Sequence, residues 1–368
     1  MRIDAPLFAA ALSRRPDPQR PRAGAADEFA QHGQARARGA TATRVTLWPD
    51  PRAPRCDILR ATPAEFVAPP EGVAPDDALN AARRLGPDFA AQEGAARAAL
   101  GCGAPEDMAM AVAREALAAQ AARLMALPAL LGDAPAAPPE PGADAADISR
   151  ALFGEGGAPR CAAEFERWIG RGQTPLASAF AMLWTRCDAR WGRADLALWS
   201  PASGLAGLDW RRAEWFGAPV EAGVAARVCD CDLARSVEAR RGRGLVWRFV
   251  ARLTDAARLI AALRDGAGAP PLAPAHGVGV ALTARGPLLL RARLRPDGRV
   301  AALERLDAAA FALHPGGALA QALAHLPHGD AARQEMAARL IVDSLDLGRV
   351  RVEVVAQGEA RGALQGAA

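Results

Sequence analysis

Residues 276–315, HGVGVALTARGPLLLRARLRPDGRVAALERLDAAAFALHP, constrain the fold of this chain more than any other stretch. Val278, Val280 and Leu282 recur at every second position, the period of a strand with one face buried. Ala284-Arg285-Gly286-Pro287 interrupts that run, a second run from Leu288 to Leu294 meets Pro296-Asp297-Gly298, and a third strand spans Val300 to Leu306. Turn residues at those two points predict an antiparallel unit with a special turn at Arg285-Gly286.

Helical signals surround this unit. Asp76-Asp77 marks a helix start, and a helical pattern runs from Ala78 to Leu100 with a break at Gly86-Pro87. A long helix is expected from Glu106 to Leu127, opened by two acids and closed by Pro128, with its methionines in the core. The Pro-rich run at 134–147 reads as a linker between an N-terminal helical part, 43–133, and a C-terminal part, 148–368. Trp168, Trp184, Trp191, Trp199, Trp210 and Trp215 crowd one segment, which reads as a packed core or as a recognition surface. A single long amphipathic helix is expected over 233–266. Its apolar face carries Leu245, Val246, Phe249, Leu253, Leu259 and Ile260, and its arginine-rich face, with Arg248 and Arg252, is expected to meet solvent or a partner. Asp330 is placed to cap a further helix, and Thr43–Trp48 and Val350–Val355 read as strands.

Composition narrows the function classes. All 45 basic residues are arginine, and the net charge of +4 over 368 residues falls short of the dense basic face that nucleic-acid binding needs. Residues 1–42 read as a disordered basic arm. No apolar run is long enough for a membrane span, no signal peptide is evident, and the cysteines show no Cys-x-x-Cys pair, so a reduced, cytoplasmic protein is expected. Cys229-Asp230-Cys231 is the one pair with metal-ligand spacing, and a site needs about four ligands. The histidines form no metal spacing, and Gly154-Glu155-Gly156-Gly157 lacks the lysine and hydroxyl of a phosphate loop.

The order of glycine-rich strand, Ala284-Arg285-Gly286, apolar strand ending in a basic residue, Asp-Gly turn, strand and His314-Pro315 resembles the C-terminal part of nickel-iron hydrogenase large subunits. It is closer still to their cofactor-free relatives, the HupK-type hydrogenase expression/formation proteins. Gly223 and Arg227 ahead of the arginine-rich helix fit the same pattern. In the enzymes, two paired cysteine motifs hold nickel and iron. Laid on this chain they fall on Leu85-Gly86-Pro87-Asp88-Phe89-Ala90-Ala91-Gln92 and on Asp346-Leu347-Gly348-Arg349-Val350-Arg351, so that Leu85, Asp88, Gly348 and Arg351 stand where thiolates would.

The resemblance implies a mainly α-helical α+β fold, a reduced large-subunit-like body with a small antiparallel β-region. It implies a vestigial cofactor pocket around Leu85, Asp88, Gln92, Arg285, Asp346, Gly348 and Arg351, with no catalytic residue and no cofactor. Asp88 and Asp346 either offer oxygen ligands to a hard cation or pair with arginines such as Arg351 or Arg285. The implied function is that of a non-catalytic scaffold or chaperone in hydrogenase maturation. Its implied partners are the large-subunit precursor or other maturation proteins, not nucleic acid. The competing reading is a metal carrier using Cys229 and Cys231.

Overall fold

The computed structural model describes residues 43–50, 52–59, 72–134, 136–140, 142–348 and 350–355, together with the backbone of 66–67. The basic arm expected over 1–42 lies outside the described residues. In chain order the strands are β1 (Thr43–Trp48), β2 (Arg55–Leu59), β3 (Phe66–Val67), β4 (Ala197–Leu198), β5 (Leu208–Asp209), β6 (Glu214–Trp215), β7 (Ala218–Glu221), β8 (Leu272–Ala275), β9 (Val278–Thr283), β10 (Gly286–Leu294), β11 (Val300–Asp307) and β12 (Val350–Val354). The helices up to the Trp-rich segment are α1 (Pro75–Ala82), α2 (Phe89–Leu100), α3 (Met108–Leu130), α4 (Ala145–Phe153), α5 (Ala162–Arg171) and α6 (Pro175–Arg186). Those that follow are α7 (Val224–Val228), α8 (Asp232–Arg241), α9 (Leu245–Arg264), α10 (Ala308–Ala312), α11 (Ala318–Ala324) and α12 (Ala331–Leu345). The fold is α+β and mainly helical, as the sequence implies.

The central unit forms as its turn residues dictate. β9, β10 and β11 pair antiparallel in a five-stranded sheet of order β3-β11-β10-β9-β8, and Thr283 pairs with Gly286 across the two-residue connection Ala284-Arg285. The Thr283 hydroxyl donates to the Gly286 carbonyl at 2.9 Å and accepts from the Arg285 amide at 3.1 Å, which fixes the turn. Gly286 has φ +137°, and a Cβ there would meet the Ala222 carbonyl at 2.6 Å. A side chain is therefore excluded at position 286 on both conformational and steric grounds.

α2 lies on this sheet through its alanines. Ala91, Ala95, Ala96 and Ala99 are buried, and a Cβ on Gly279 of β9 would fall 1.8 Å from the Ala95 carbonyl. Only glycine in the strand and alanine on the helix permit so close an approach. The result sets the start of α2, at Asp88, beside the Arg285 turn.

The break at Gly86-Pro87 separates α1 from α2 as expected, but two helix readings need correction. Pro128 lies inside α3, which continues to Leu130. The helix expected over 233–266 is two helices, α8 and α9, separated at Gly242 with φ +66°. The Arg-Gly-Arg-Gly sequence there supplies the break, because Gly242 ends α8 at a positive φ that glycine adopts readily. α9 then runs through the protein interior, with every residue from Leu245 to Ala256 buried.

The main hydrophobic core joins residues from both sides of the Pro-rich run, including Leu117 and Leu124 of α3, Phe165 and Phe180 of α5 and α6, Leu253 of α9 and Leu340 of α12. Trp168, Trp191 and Trp199 are buried, while Trp184, Trp210 and Trp215 are half-buried. β12 pairs parallel to β1 in a separate sheet of order β12-β1-β2, tying the C-terminal strand to the first strand described.

Candidate functional site

Four elements converge at the Arg285 turn: the start of α2, the middle of α3, the middle of α9 and the end of α12. Each contributes polar side chains. Asp88 precedes α2 and is 7% exposed. Asp346 terminates α12 in a left-handed conformation, φ +47°, which aspartate tolerates better than most side chains, and its carboxylate is buried.

Arg285 bridges the two acids. Its Nη1 lies 3.0 Å from Asp88 Oδ2, and its Nε lies 3.6 Å from Asp346 Oδ1. Asp346 is also approached by Arg123 of α3 at 2.9 Å and by Arg252 of α9 at 3.5 Å. Arg252 is 2% exposed and donates to Gln120 Oε1 at 3.0 Å and to the Ser344 carbonyl at 3.2 Å. Gln120 in turn donates to Asp255, whose two oxygens accept from Arg227 at 2.8 and 2.6 Å. Arg123 reaches Asp343 at 3.1 Å. Four guanidinium groups thus face four carboxylates, and the network is internally neutral. Neutrality matters because an unpaired charge at this depth costs several kcal/mol, on the order of 3–5 when one partner is lost.

The titration of the acids follows their surroundings. Burial pushes the Asp88 carboxyl up, although Arg285 and Arg305 oppose it. Burial likewise raises Asp343, against Arg123 and Arg252. For Asp346 the effect of burial is outweighed by Arg252, Arg123 and Arg285 together, which hold the carboxyl below the usual carboxylate range. Glu115 accepts from the Ala90 and Ala91 amides at 3.1 Å and so covers the start of α2, yet burial still raises its carboxyl.

The residues expected around a former cofactor pocket divide into two groups. Asp88, Arg285 and Asp346 belong to the network. Leu85 lies next to it, and its carbonyl accepts from Arg305 at 2.7 Å. Gln92 is fully buried with neither amide atom hydrogen-bonded, and a Cβ on Gly86 would meet both its amide nitrogen, at 3.2 Å, and Arg305, at 2.5 Å. Arg351 is elsewhere. It sits on β12, its side chain is 72% exposed, and it pairs with Glu353 at 3.8 Å. The expected pairing of Arg351 with Asp88 or Asp346 is replaced by Arg123 and Arg252, because the parallel pairing of β12 with β1 carries Arg351 to a register beside Arg44. Gly348 is exposed with φ +77° and open space around it.

A dinuclear thiolate-bound metal centre does not fit these residues. Of the four positions, Leu85 offers a carbonyl already bound, Asp88 a carboxylate held by Arg285, Gly348 no side chain and Arg351 an outward cation. Soft metals need thiolates, and the guanidinium forks here would repel a cation. Among the described residues no three His, Cys, Asp or Glu side chains come together as metal ligands. Cys229 and Cys231 are half-buried; Cys229 Sγ donates to the Ala226 carbonyl at 3.4 Å, and Arg258 approaches Cys231 Sγ at 3.6 Å. Burial pushes the Cys187 thiol up to about 11, a poor starting point for metal ligation.

The expected solvent-facing arginine stripe is corrected most clearly at α9. Arg248 is 2% exposed and grips buried Glu221 with two bonds, of 2.7 and 3.0 Å. Arg252, Arg123, Gln120 and Asp255 were not singled out as site residues from sequence. Their one legible signal is Asp255, an acid in register with Arg248 and Arg252 at helical spacing, which is out of place on a purely basic face.

No protein-family model matches the chain. Among solved structures, the chain is similar to the Ni-Fe-Se hydrogenase of D. vulgaris Hildenborough in its reduced state, with a TM-score of 0.49 and 13% identity over 80% of this chain and 95% of that one. It is similar also to an NAD+-reducing [NiFe]-hydrogenase in its H2-reduced state, with a TM-score of 0.48 and 16% identity over 80% of this chain and 91% of that one. Among curated proteins, it is 36% identical over 265 residues to the hydrogenase expression/formation protein HupK of Rhodobacter capsulatus, a match that covers 70% of this chain and 78% of that protein. On that identity and coverage, the chain belongs to the family of HupK-type hydrogenase expression/formation proteins.

Proposed function

We propose that this chain is a non-catalytic accessory protein of nickel-iron hydrogenase maturation. It acts in the cytoplasm as a scaffold or chaperone for the hydrogenase large-subunit precursor or for another maturation protein. The supporting observation is the network of Arg285, Asp88, Asp346, Arg252 and Arg123, which holds Asp88, one of the four positions to which the family resemblance assigns metal ligands, in an ion pair with Arg285. Fixed cations among ion-paired carboxylates disfavour a bound metal ion there, which supports placing the work of the protein on its outer surface. Among the described residues, no helix is long and apolar enough to cross a membrane.

The test is affinity capture from cells that express a nickel-iron hydrogenase. Wild-type chain is expected to retain the large-subunit precursor or a maturation protein, and Arg285→Ala, which leaves Asp88 without its nearest cation, to retain less. Capture of neither class of protein by the wild type would end this reading. Stoichiometric iron in anaerobically purified chain, lost on combined Cys229→Ser and Cys231→Ser substitution, would replace it with a metal carrier.

A further inference from the structure

We propose that the pocket between α5 and the glycine-rich loop before it binds carboxylate groups of an acidic peptide segment. The loop is the Gly154-Glu155-Gly156-Gly157 run that fails as a phosphate loop. It borders a cavity of about 390 Å³ lined by Arg160, Arg167, Arg171 and Gln173 around Trp168, a volume within the range of ligand sites.

The helix is anchored from behind. Phe165 and Trp168 are buried in the main core, and the Trp168 indole donates to the Phe153 carbonyl at 3.2 Å, so α5 presents its 164, 167 and 171 positions to the pocket as a fixed edge. Arg167 and Arg171 are one helical turn apart, exposed, and without an ion-pair partner among the described residues. Like charges at that spacing oppose each other. The helix dipole accounts for Arg171 in the last turn but not for Arg167. The acid on the far side of the helix, Glu166, pairs with Arg240 instead.

One carboxylate already shows what this pocket accepts. Glu164 accepts from the Arg160 backbone amide at 2.9 Å and from the Arg160 guanidinium at 3.2 Å. Arg167, whose charge acts on Glu164 one turn back, and Arg171 offer two further forks with no hydrogen bond or ion pair on them among the described residues, and the pocket carries a net positive charge. Guanidinium forks match planar carboxylates through paired N–H bonds. The cavity is far larger than one oxyanion, and Trp168 gives it an apolar wall, so a peptide bearing several carboxylates fits it better than a free inorganic anion.

This inference deepens the proposed role, because the acidic segment would belong to the maturation partner. Its test does not need that partner, so failure of protein capture and failure of peptide binding are separate results. The probe is a fluorescein-labelled octapeptide of alternating glutamate and glycine, followed by anisotropy with the full chain at about 50 mM salt, where charges are only moderately screened. Saturable binding is expected, with a loss of about tenfold or more in the Arg167→Ala/Arg171→Ala variant. No loss is expected in Arg211→Ala/Arg212→Ala, which removes the same charge from an exposed turn far along the chain. Both arginine pairs are exposed, so melting temperatures should stay at the wild-type value.

Equal weakening in both double variants would reduce the effect to general attraction by a basic protein and overturn the site. So would wild-type affinity in Arg167→Lys/Arg171→Lys, which keeps the charge and removes the fork. Equal binding of the glutamine counterpart of the peptide, or displacement of the probe by inorganic phosphate at matching concentration, would overturn the carboxylate assignment.

Discussion

α8 and α9 are consecutive helices cut from one arginine-rich stretch, yet Arg235 and Arg240 of the first and Arg248 and Arg252 of the second have opposite fates. On α8, Arg235 pairs with Asp232 within its own helix and Arg240 reaches Glu166 of α5, with side chains 63% and 53% exposed. On α9, Arg248 and Arg252 are 2% exposed and hold Glu221 at the end of β7 and Asp346 at the end of α12. Residue type and helical period are the same in both. What differs is whether the helix has neighbours on all sides, and therefore whether a guanidinium must be matched by buried acceptors or can be left to water.

The comparison predicts a ladder of stabilities. Arg248→Ala should have the largest effect, a loss of about 3–5 kcal/mol in urea unfolding, because buried Glu221 is left without its cation. Pairing it with Glu221→Gln should recover a good part of that loss, since no charge then remains unmatched. If the double variant is as unstable as the single, the Arg248 packing matters more than its charge. Asp346→Asn should come next, at about 2–4 kcal/mol, since asparagine keeps the left-handed backbone but leaves three arginines short of a carboxylate. Arg235→Ala should change stability by no more than about 0.5 kcal/mol.

Acid titration sharpens the contrast inside the network. Asp346 has its carboxyl lowered in the fold, so its contribution is fully present above the unfolded value of about 3.9 and is lost as pH falls through the folded value below it. Asp88 has its carboxyl raised, so the fold gains from it as pH falls and loses that gain as pH rises through the folded value above about 3.9. Urea midpoints measured between about pH 2.5 and 7 should show two opposite changes. Asp346→Asn should flatten the acid limb where stability drops, and Asp88→Asn should remove the small rise on first acidification. The same sign of change in both variants would show that the two acids do not titrate as the network implies.

Much of the fold is legible in the sequence. The central sheet could be read because its turns are made by residues with few alternatives: Gly286 at φ +137° and Gly298 at φ +78° sit where the Arg285-Gly286 and Asp297-Gly298 turns are expected. The Asp330 cap is present, its side chain accepting from the Arg333 amide at 2.7 Å. Pro128 misled because a proline late in a helix gives up one backbone bond without ending the helix when the chain around it is packed, and Pro128 is buried. Gly242 was the missed signal that 233–266 is two helices.

The candidate site was less legible. Arg285, Asp88 and Asp346 are named through the family resemblance, from the motif positions they occupy, and not from local sequence signals. Arg123, Arg252 and Gln120 could not be named, because each lies within a helix whose periodic pattern looks the same whether a polar residue faces water or a neighbouring element.

By itself the sequence determined the hairpin unit, the helix starts near Asp76 and Asp330 and the lack of cysteine at Leu85, Asp88, Gly348 and Arg351, since these depend on backbone conformation and side-chain chemistry at single positions. Only the tertiary structure decided which arginines became interior. The placement of α9 among α3, α4, α7 and α12 buried Arg248 and Arg252, and the parallel pairing of β12 with β1 turned Arg351 outward. The physical reason is that the desolvation of a charge is set by everything packed around it, and packing joins residues such as Arg252 and Gln120 that lie 132 positions apart.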